Sequence, residues 1–265
     1  MLRLLSLLLF GAVALFAAEH YARVEPWERS TIKAAAAGQV LEANLSLEGT
    51  LVKDARVVHL DDRLDRKDLS NAEASEKIVQ QTLELTRQML PGLQESARRQ
   101  KGYFERISKL STASQTQKDQ AYQAMVAAQN QYLSTKEKAL SLRQNLLDLE
   151  YKIAMLEDRI AKKNLRLKNR YLYRLLVRSG EFAGVGTPLA IVDDLSRQRL
   201  TIYLSSEEIK RLPKLHIYLD GKIYKGGFDR IWRESDDKYL SSYRAELWLP
   251  AGKFPLSRLV KVELK

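Results

Sequence analysis

The chain has 265 residues, a formal net charge of +11, 45% hydrophobic and 8% aromatic residues, and no cysteine. Without cysteine there are no disulfides, thiolate metal sites or cysteine nucleophiles, so stability has to come from packing. With 29% of its residues charged and few of them aromatic, the composition fits an elongated, helix-rich protein better than a compact enzyme.

The chain opens with Met1-Leu2-Arg3 and an apolar run from Leu4 to Ala18, the charged and hydrophobic regions of a secretory signal. The run is short for a bilayer span. Ala17 and Ala18 offer a cleavage point before Glu19, whereas Leu15 or Phe16 at the −3 position departs from the small-x-small rule. Residues 1–18 therefore read as a cleaved signal in preference to an uncleaved anchor. No later stretch is apolar over the roughly 18 residues that a crossing needs, so the remainder is expected to be exported and soluble, or tethered only at its N-terminus. Export removes nucleic acid as a partner for the positive charge and leaves anionic lipid surfaces or acidic proteins.

Val24 to Lys33 reads as part of a β-barrel or its connection. Ala37-Gly38-Gln39-Val40, Gly49-Thr50-Leu51-Val52 and Val57 to Asp62 follow as short apolar runs punctuated by glycine turns. A matching set recurs far downstream as Ser179-Gly180-Glu181-Phe182, Gly186-Thr187-Pro188-Leu189 and Ile191 to Asp194. Each set ends on an Asp-Asp pair, which reads as a strand-closing turn rather than as paired acids. Each half needs the other to bury its apolar face, which implies one small β domain with a long insertion.

The insertion carries a heptad pattern. Leu69, Ala72, Glu76, Val79, Leu83, Thr86, Leu90, Leu93, Ala97, Gln100, Phe104 and Ile107 alternate spacings of three and four, with polar lapses at Glu76, Thr86 and Gln100. Ala121, Met125, Ala128, Tyr132, Thr135, Ala139, Leu142, Leu146, Leu149, Ile153, Leu156 and Ile160 repeat the alternation without a slip. Two such seams predict an antiparallel coiled coil with about 45 residues per arm, a rod on the order of 65 Å. Pro91-Gly92 is the strongest local breaker, but the seam keeps phase from Leu90 to Leu93, so Pro91 reads as a kink or short break. The turn falls instead at about 110–114, where Ser114 and Gln117 form a capping-box pair.

After the second arm, Arg159, Lys162, Lys163, Arg166, Lys168, Arg170, Arg174 and Arg178 follow one another with no acid among them. A solvated basic face is the ordinary reading. A sharper one is a ring of positive charge near the hairpin root, formed by Lys162, Lys163, Arg166, Lys168, Arg170 and Arg174, that attracts an acidic partner or substrate. Farther on, Leu200–Leu204, Leu215–Leu219, Ile223–Phe228, Tyr243–Leu249 and Leu259–Leu264 read as strands, with Asp220-Gly221 as a hairpin turn. Ser205 and Glu208 form a capping box that starts one short helix.

This order of elements resembles the periplasmic adaptor, or membrane fusion protein, family typified by HlyD and AcrA. The resemblance implies an elongated α+β fold: a split lipoyl-like β domain with an inserted antiparallel α-helical coiled-coil hairpin, followed by a small β-barrel domain. The corresponding divisions are residues 19–62, 63–167, 168–196 and 197–265. In that family an Arg, a Leu and a Ser at the hairpin tip dock on the outer-membrane channel, followed by an Asp and a small residue. Arg106, Leu110 and Ser114 look like that trio, with Asp119 and Ala121 after them, although the stretch between the Leu and the Ser is shorter here. The resemblance also implies a TolC-like channel and an inner-membrane transporter of ABC, RND or MFS type as partners. It implies a homo-oligomeric ring, trimer or hexamer, in the periplasm, with an N-terminal tether to the inner membrane as one form.

No catalytic constellation or cofactor is expected. His20, His59 and His216 lie far apart in sequence, and the methionines do not suggest copper relay. A biotin or lipoyl carrier would need a modified lysine at the tip of the β domain, where the coiled coil stands instead. The remaining alternative is a coiled-coil envelope tether that conducts no substrate.

Overall fold

The computed structural model describes residues 18–235 and 241–265. The signal expected over residues 1–18 lies outside them apart from Ala18. In chain order the strands and helices are β1 (Ala18–Lys33), β2 (Gly38–Ala43), β3 (Thr50–Leu60), α1 (Arg63–Lys109), α2 (Gln115–Lys162), β4 (Asn164–Leu175) and β5 (Phe182–Ala183). They continue as β6 (Pro188–Ser205), α3 (Ser206–Arg211), β7 (Ile217–Leu219), β8 (Lys222–Tyr224), β9 (Arg230–Ser235), β10 (Ser242–Pro250) and β11 (Leu259–Leu264).

The two glycine-turn pieces do complete each other. Gly38 and Gln39 of β2 pair with Ala183 and Phe182 of β5, and β3 pairs with β4 along most of its length. Their apolar side chains form one core in which Val40, Val52, Val57, Val58 and Leu60 meet Leu167, Leu172, Leu175, Ala183 and Val192. A second core gathers Ala22, Val24, Leu200, Ile202, Leu204, Leu247, Val260 and Val262. It is enclosed by β1, β11, β7 and β8 on one side and by β6, β10 and β9 on the other. Strands β1 and β6 pair antiparallel from Val24↔Leu200 to Lys33↔Pro188 and contribute to both cores, so the two β units share a continuous two-stranded spine.

Helices α1 and α2 are 47 and 48 residues long, about 70 Å at 1.5 Å per residue. Every seam position named from the heptad pattern is buried or half-buried, including the polar lapses Glu76, Thr86 and Gln100. Thr86 tolerates the seam because its hydroxyl donates to the Thr82 carbonyl at 2.7 Å. Small seam residues Ala72, Ala121 and Ala139 are buried, which lets the backbones approach closely.

Some expectations need correction. Helix α1 passes through Pro91 without a break. Pro91 lies on the exposed side of the rod, where water can replace the hydrogen bond it cannot donate. The second arm ends at Lys162 rather than 167, because the Asn164 side chain donates to the Ile160 carbonyl at 2.8 Å and the chain turns there into β4. Asp193-Asp194 does not close a strand, since β6 continues through it to Ser205. Arg29 binds both oxygens of Asp193 at 2.7 and 2.8 Å, which removes the cost of an acid inside the sheet. The Ile223–Phe228 strand is shorter than expected, β8 ending at Tyr224, and β9 was not anticipated.

Candidate functional site

The hairpin turns over residues 110–114. Leu110 leaves the helix with an extended backbone and is 49% exposed. Ser114 caps α2: its Oγ accepts from the Gln117 amide at 3.3 Å, and its own amide donates to Gln117 Oε1 at 2.9 Å. Two otherwise orphaned amides are thereby satisfied, which fixes where the second helix starts. Asp119 accepts from the Gln115 side chain at 2.9 Å one turn later. Ala121 is buried in the seam.

Arg106 lies on the last turn of α1, exposed, and forms no ion pair among the described residues. It borders an open groove of about 560 Å³ with Glu95, Arg98, Arg99 and Tyr103. Arg98 and Arg99 both spend their charge on Glu95, at 2.8 and 2.9 Å, and hold its carboxyl below the usual carboxylate range. Arg106 is thus a guanidinium with its donors available beside an exposed leucine and a capping serine. The fork of N–H groups suits carbonyls and carboxylates, and Leu110 offers a small apolar contact. Phe104 of the seam and the half-exposed Tyr122 link the two helices near the tip, their rings 5.5 Å apart, a contact that the heptad pattern does not reveal because Tyr122 lies outside the seam.

At the other end of the rod the expected basic run meets acids brought in by the fold. Lys163 reaches Asp65 at 2.5 Å, Arg159 the same carboxylate at 3.2 Å, Lys162 pairs with Asp158 at 2.5 Å, Arg166 with Asp54 at 2.9 Å, and Arg170 with Asp194 at 2.5 Å. Of the ring candidates, Lys168 and Arg174 form no ion pair among the described residues. The sequence hid this because Asp54, Asp65 and Asp194 are remote in the chain.

Sequence reasoning also missed the clasp beneath the hairpin. Asp62 is 2% exposed, accepts from Arg66 at 2.8 Å and Asn164 at 3.0 Å, and has His59 Nε2 at 3.2 Å. Burial alone would push its carboxyl up, but these donors outweigh burial and hold it far below the ordinary range. Lys163 also donates to the Asp61 carbonyl at 2.8 Å, so both helices are tied to one point on the β domain. The signal present in sequence was Asp62-Arg66, spaced one helical turn apart.

The chain has the fold of the membrane fusion, or periplasmic adaptor, proteins: a long helical hairpin inserted between strands of an antiparallel β structure. Among solved structures, MacA from Actinobacillus actinomycetemcomitans is similar over 94% of this chain and 78% of its own, with a TM-score of 0.72 at 13% identity. A MacA-MexA chimera containing the Pseudomonas aeruginosa MexA α-hairpin domain is similar over 94% of this chain and 80% of its own, with a TM-score of 0.60 and 13% identity. The membrane fusion protein Spr0693 from Streptococcus pneumoniae R6 covers 94% of this chain and 98% of its own, with a TM-score of 0.56 and 10% identity. No protein-family model matches the sequence, and no curated protein matches it at the sequence level.

Proposed function

We infer that the protein is a periplasmic adaptor, a non-enzymatic subunit of a tripartite efflux pump or type I secretion system. It links an inner-membrane transporter to a TolC-like outer-membrane channel. The observation that carries this reading is the rod itself: about 70 Å of paired helix, built into a β domain, whose end exposes Arg106, Leu110 and Ser114 among short polar residues. A coiled coil stable along its seam needs no such tip, so the tip is where a partner is engaged. Among the described residues no helix is long and apolar enough to cross a membrane, which fits a chain working between membranes with partners in each.

Apolar residues outside the seam support assembly of several copies. Leu133, Leu140 and Leu147 recur once per heptad on α2, Ile78 and Leu85 on α1, and all are about half exposed or more. Leu147 shares one side of the rod with Lys77, Gln80 and Glu84. By heptad geometry Ile78 and Leu85 fall on the opposite side at the same height. Complementary stripes on opposite sides suit head-to-tail packing of identical subunits into a closed ring.

The test is site-specific crosslinking in cells from positions 106, 110 and 114. The expected outcome is capture of an outer-membrane channel, reduced about fivefold or more in Arg106→Glu, since reversing a positioned charge costs on the order of 1–3 kcal/mol. Undiminished capture and transport with Arg106→Glu would remove the docking role. A chain that captures only other envelope components would be the passive tether instead.

A further inference from the structure

We propose that the rod carries a built-in joint beyond its middle, where Pro91 and Gly92 of α1 lie level with Ser134 and Thr135 of α2. Two contacts across the hairpin fix that level. Asp65 meets Arg159 near the root and Phe104 meets Tyr122 near the tip, pairs whose numbers total 224 and 226, so Pro91 stands opposite residues 133–135. Helix α1 is continuous through Pro91, and the joint is a soft level in an unbroken helix rather than a gap.

Each helix is weakened at this level by a different device. Pro91 has no amide to offer the Arg87 carbonyl, and its ring crowds that carbonyl. Gly92 follows, exposed and with nothing within 4 Å of where a Cβ would stand, so it adds backbone freedom that packing does not require. On α2 the Gln131 carbonyl is shared by two hydroxyls, Ser134 donating at 3.1 Å and Thr135 at 2.9 Å. Such back-bonding competes with the helical hydrogen bond and bends helices. Thr135 is also buried in the seam, where it interrupts the apolar contact between the arms. Other back-bonds on α1, from Ser75 to Asn71 and from Thr82 to Ile78, have no counterpart opposite them on α2 among the described residues.

The root offers no such freedom. Buried Asp62 is held by Arg66 and Asn164, Asp65 by Arg159 and Lys163, and Lys163 also grips the Asp61 carbonyl. A sideways load on the tip is therefore taken up where both helices are soft. Pro91 lies on the exposed side of α1, so opening of that side bends the distal segment toward α2. The 18 residues from Gly92 to Lys109 make a lever of about 27 Å, and a bend of about 20° moves Leu110 by about 9 Å. Arg106, Leu110 and Ser114 can then change their aim while the β body stays in place. The joint is a property of the rod alone, so failure of the Arg106 test leaves it standing.

Because the chain has no cysteine, a bifunctional nitroxide can be clamped across two introduced cysteines one helical turn apart. Lys101→Cys/Glu105→Cys places it beyond the joint and Glu73→Cys/Lys77→Cys below it, all four positions being exposed. In the full chain the nanosecond angular amplitude at 101/105 should exceed that at 73/77 by at least about twofold. Pro91→Ala/Gly92→Ala should bring the distal amplitude down to the proximal one, since alanine restores the hydrogen bond and stiffens the helix. Amide exchange at Thr135 should slow about fivefold or more in the same variant, although neither substitution lies on α2. Equal amplitudes at the two positions in the wild type overturn the proposal and put any bending at the root. A distal amplitude that survives Pro91→Ala/Gly92→Ala overturns it too and assigns the motion to fraying of the tip, and unchanged exchange at Thr135 overturns a joint shared by both helices.

Discussion

Asp62 illustrates how a single residue can hold a long lever. A carboxylate at 2% exposure is tolerated only if its charge is met, and Arg66, Asn164 and His59 meet it from α1, β4 and β3. Removing the charge while keeping the shape, as in Asp62→Asn, should lower stability at neutral pH by about 1–3 kcal/mol. The sign of its pH dependence follows from the depressed pKa. The stabilisation is complete above the unfolded-state value near 3.9 and is lost as pH falls below it toward the folded-state value. Urea unfolding of wild type and Asp62→Asn should therefore show the widest gap near neutrality and a narrowing gap below about pH 4. A gap constant from pH 7 to pH 2 would mean that Asp62 acts through shape alone. In the sequence this residue was visible as half of an Asp-Asp turn with His59 and Arg66 at local spacings, whereas Asn164 becomes its neighbour only when the hairpin closes.

At the scale of elements, the hairpin was legible because a coiled coil is written locally. Glu76, Thr86 and Gln100 did not break the seam, since phase rather than hydrophobicity at each site decides which face is covered. Pro91 was harder: its local signal for a break is real, but seam packing on either side keeps the helix continuous. The tip depends on a local device as well. Ser114→Ala should cost about 1 kcal/mol, concentrated in the first turn of α2, because the Gln117 amide loses its acceptor. Hydrogen exchange would report this as roughly fivefold faster exchange at Gln117, with the seam amides near Ala139 unchanged. Uniform acceleration along both helices would instead make the cap a determinant of the whole rod.

Considered as a whole, the molecule is a β body with a detachable rod. The Leu60 amide donates to the Lys163 carbonyl at 2.8 Å, so the two strand ends that flank the hairpin are already joined by the sheet. Replacing residues 63–162 with a short glycine-rich link should leave β3 and β4 paired and the β body folded. Near-UV circular dichroism and a single cooperative thermal transition would check this, and their loss would show that the helices are needed to close the first core. One transition is expected because β1 and β6 run through both cores and couple them. The sequence by itself determined the seam, both capping boxes, the Asp220-Gly221 turn and the complementarity of the two glycine-turn pieces. Each is a periodicity or a short spacing that the backbone reads locally. Only the tertiary structure decided that Asp193-Asp194 lies within a strand, that the basic run is largely paired, and that Asn164 joins Asp62 beneath the hairpin. Those outcomes depend on which distant residues become neighbours, and charge and burial are properties of neighbours rather than of sequence positions.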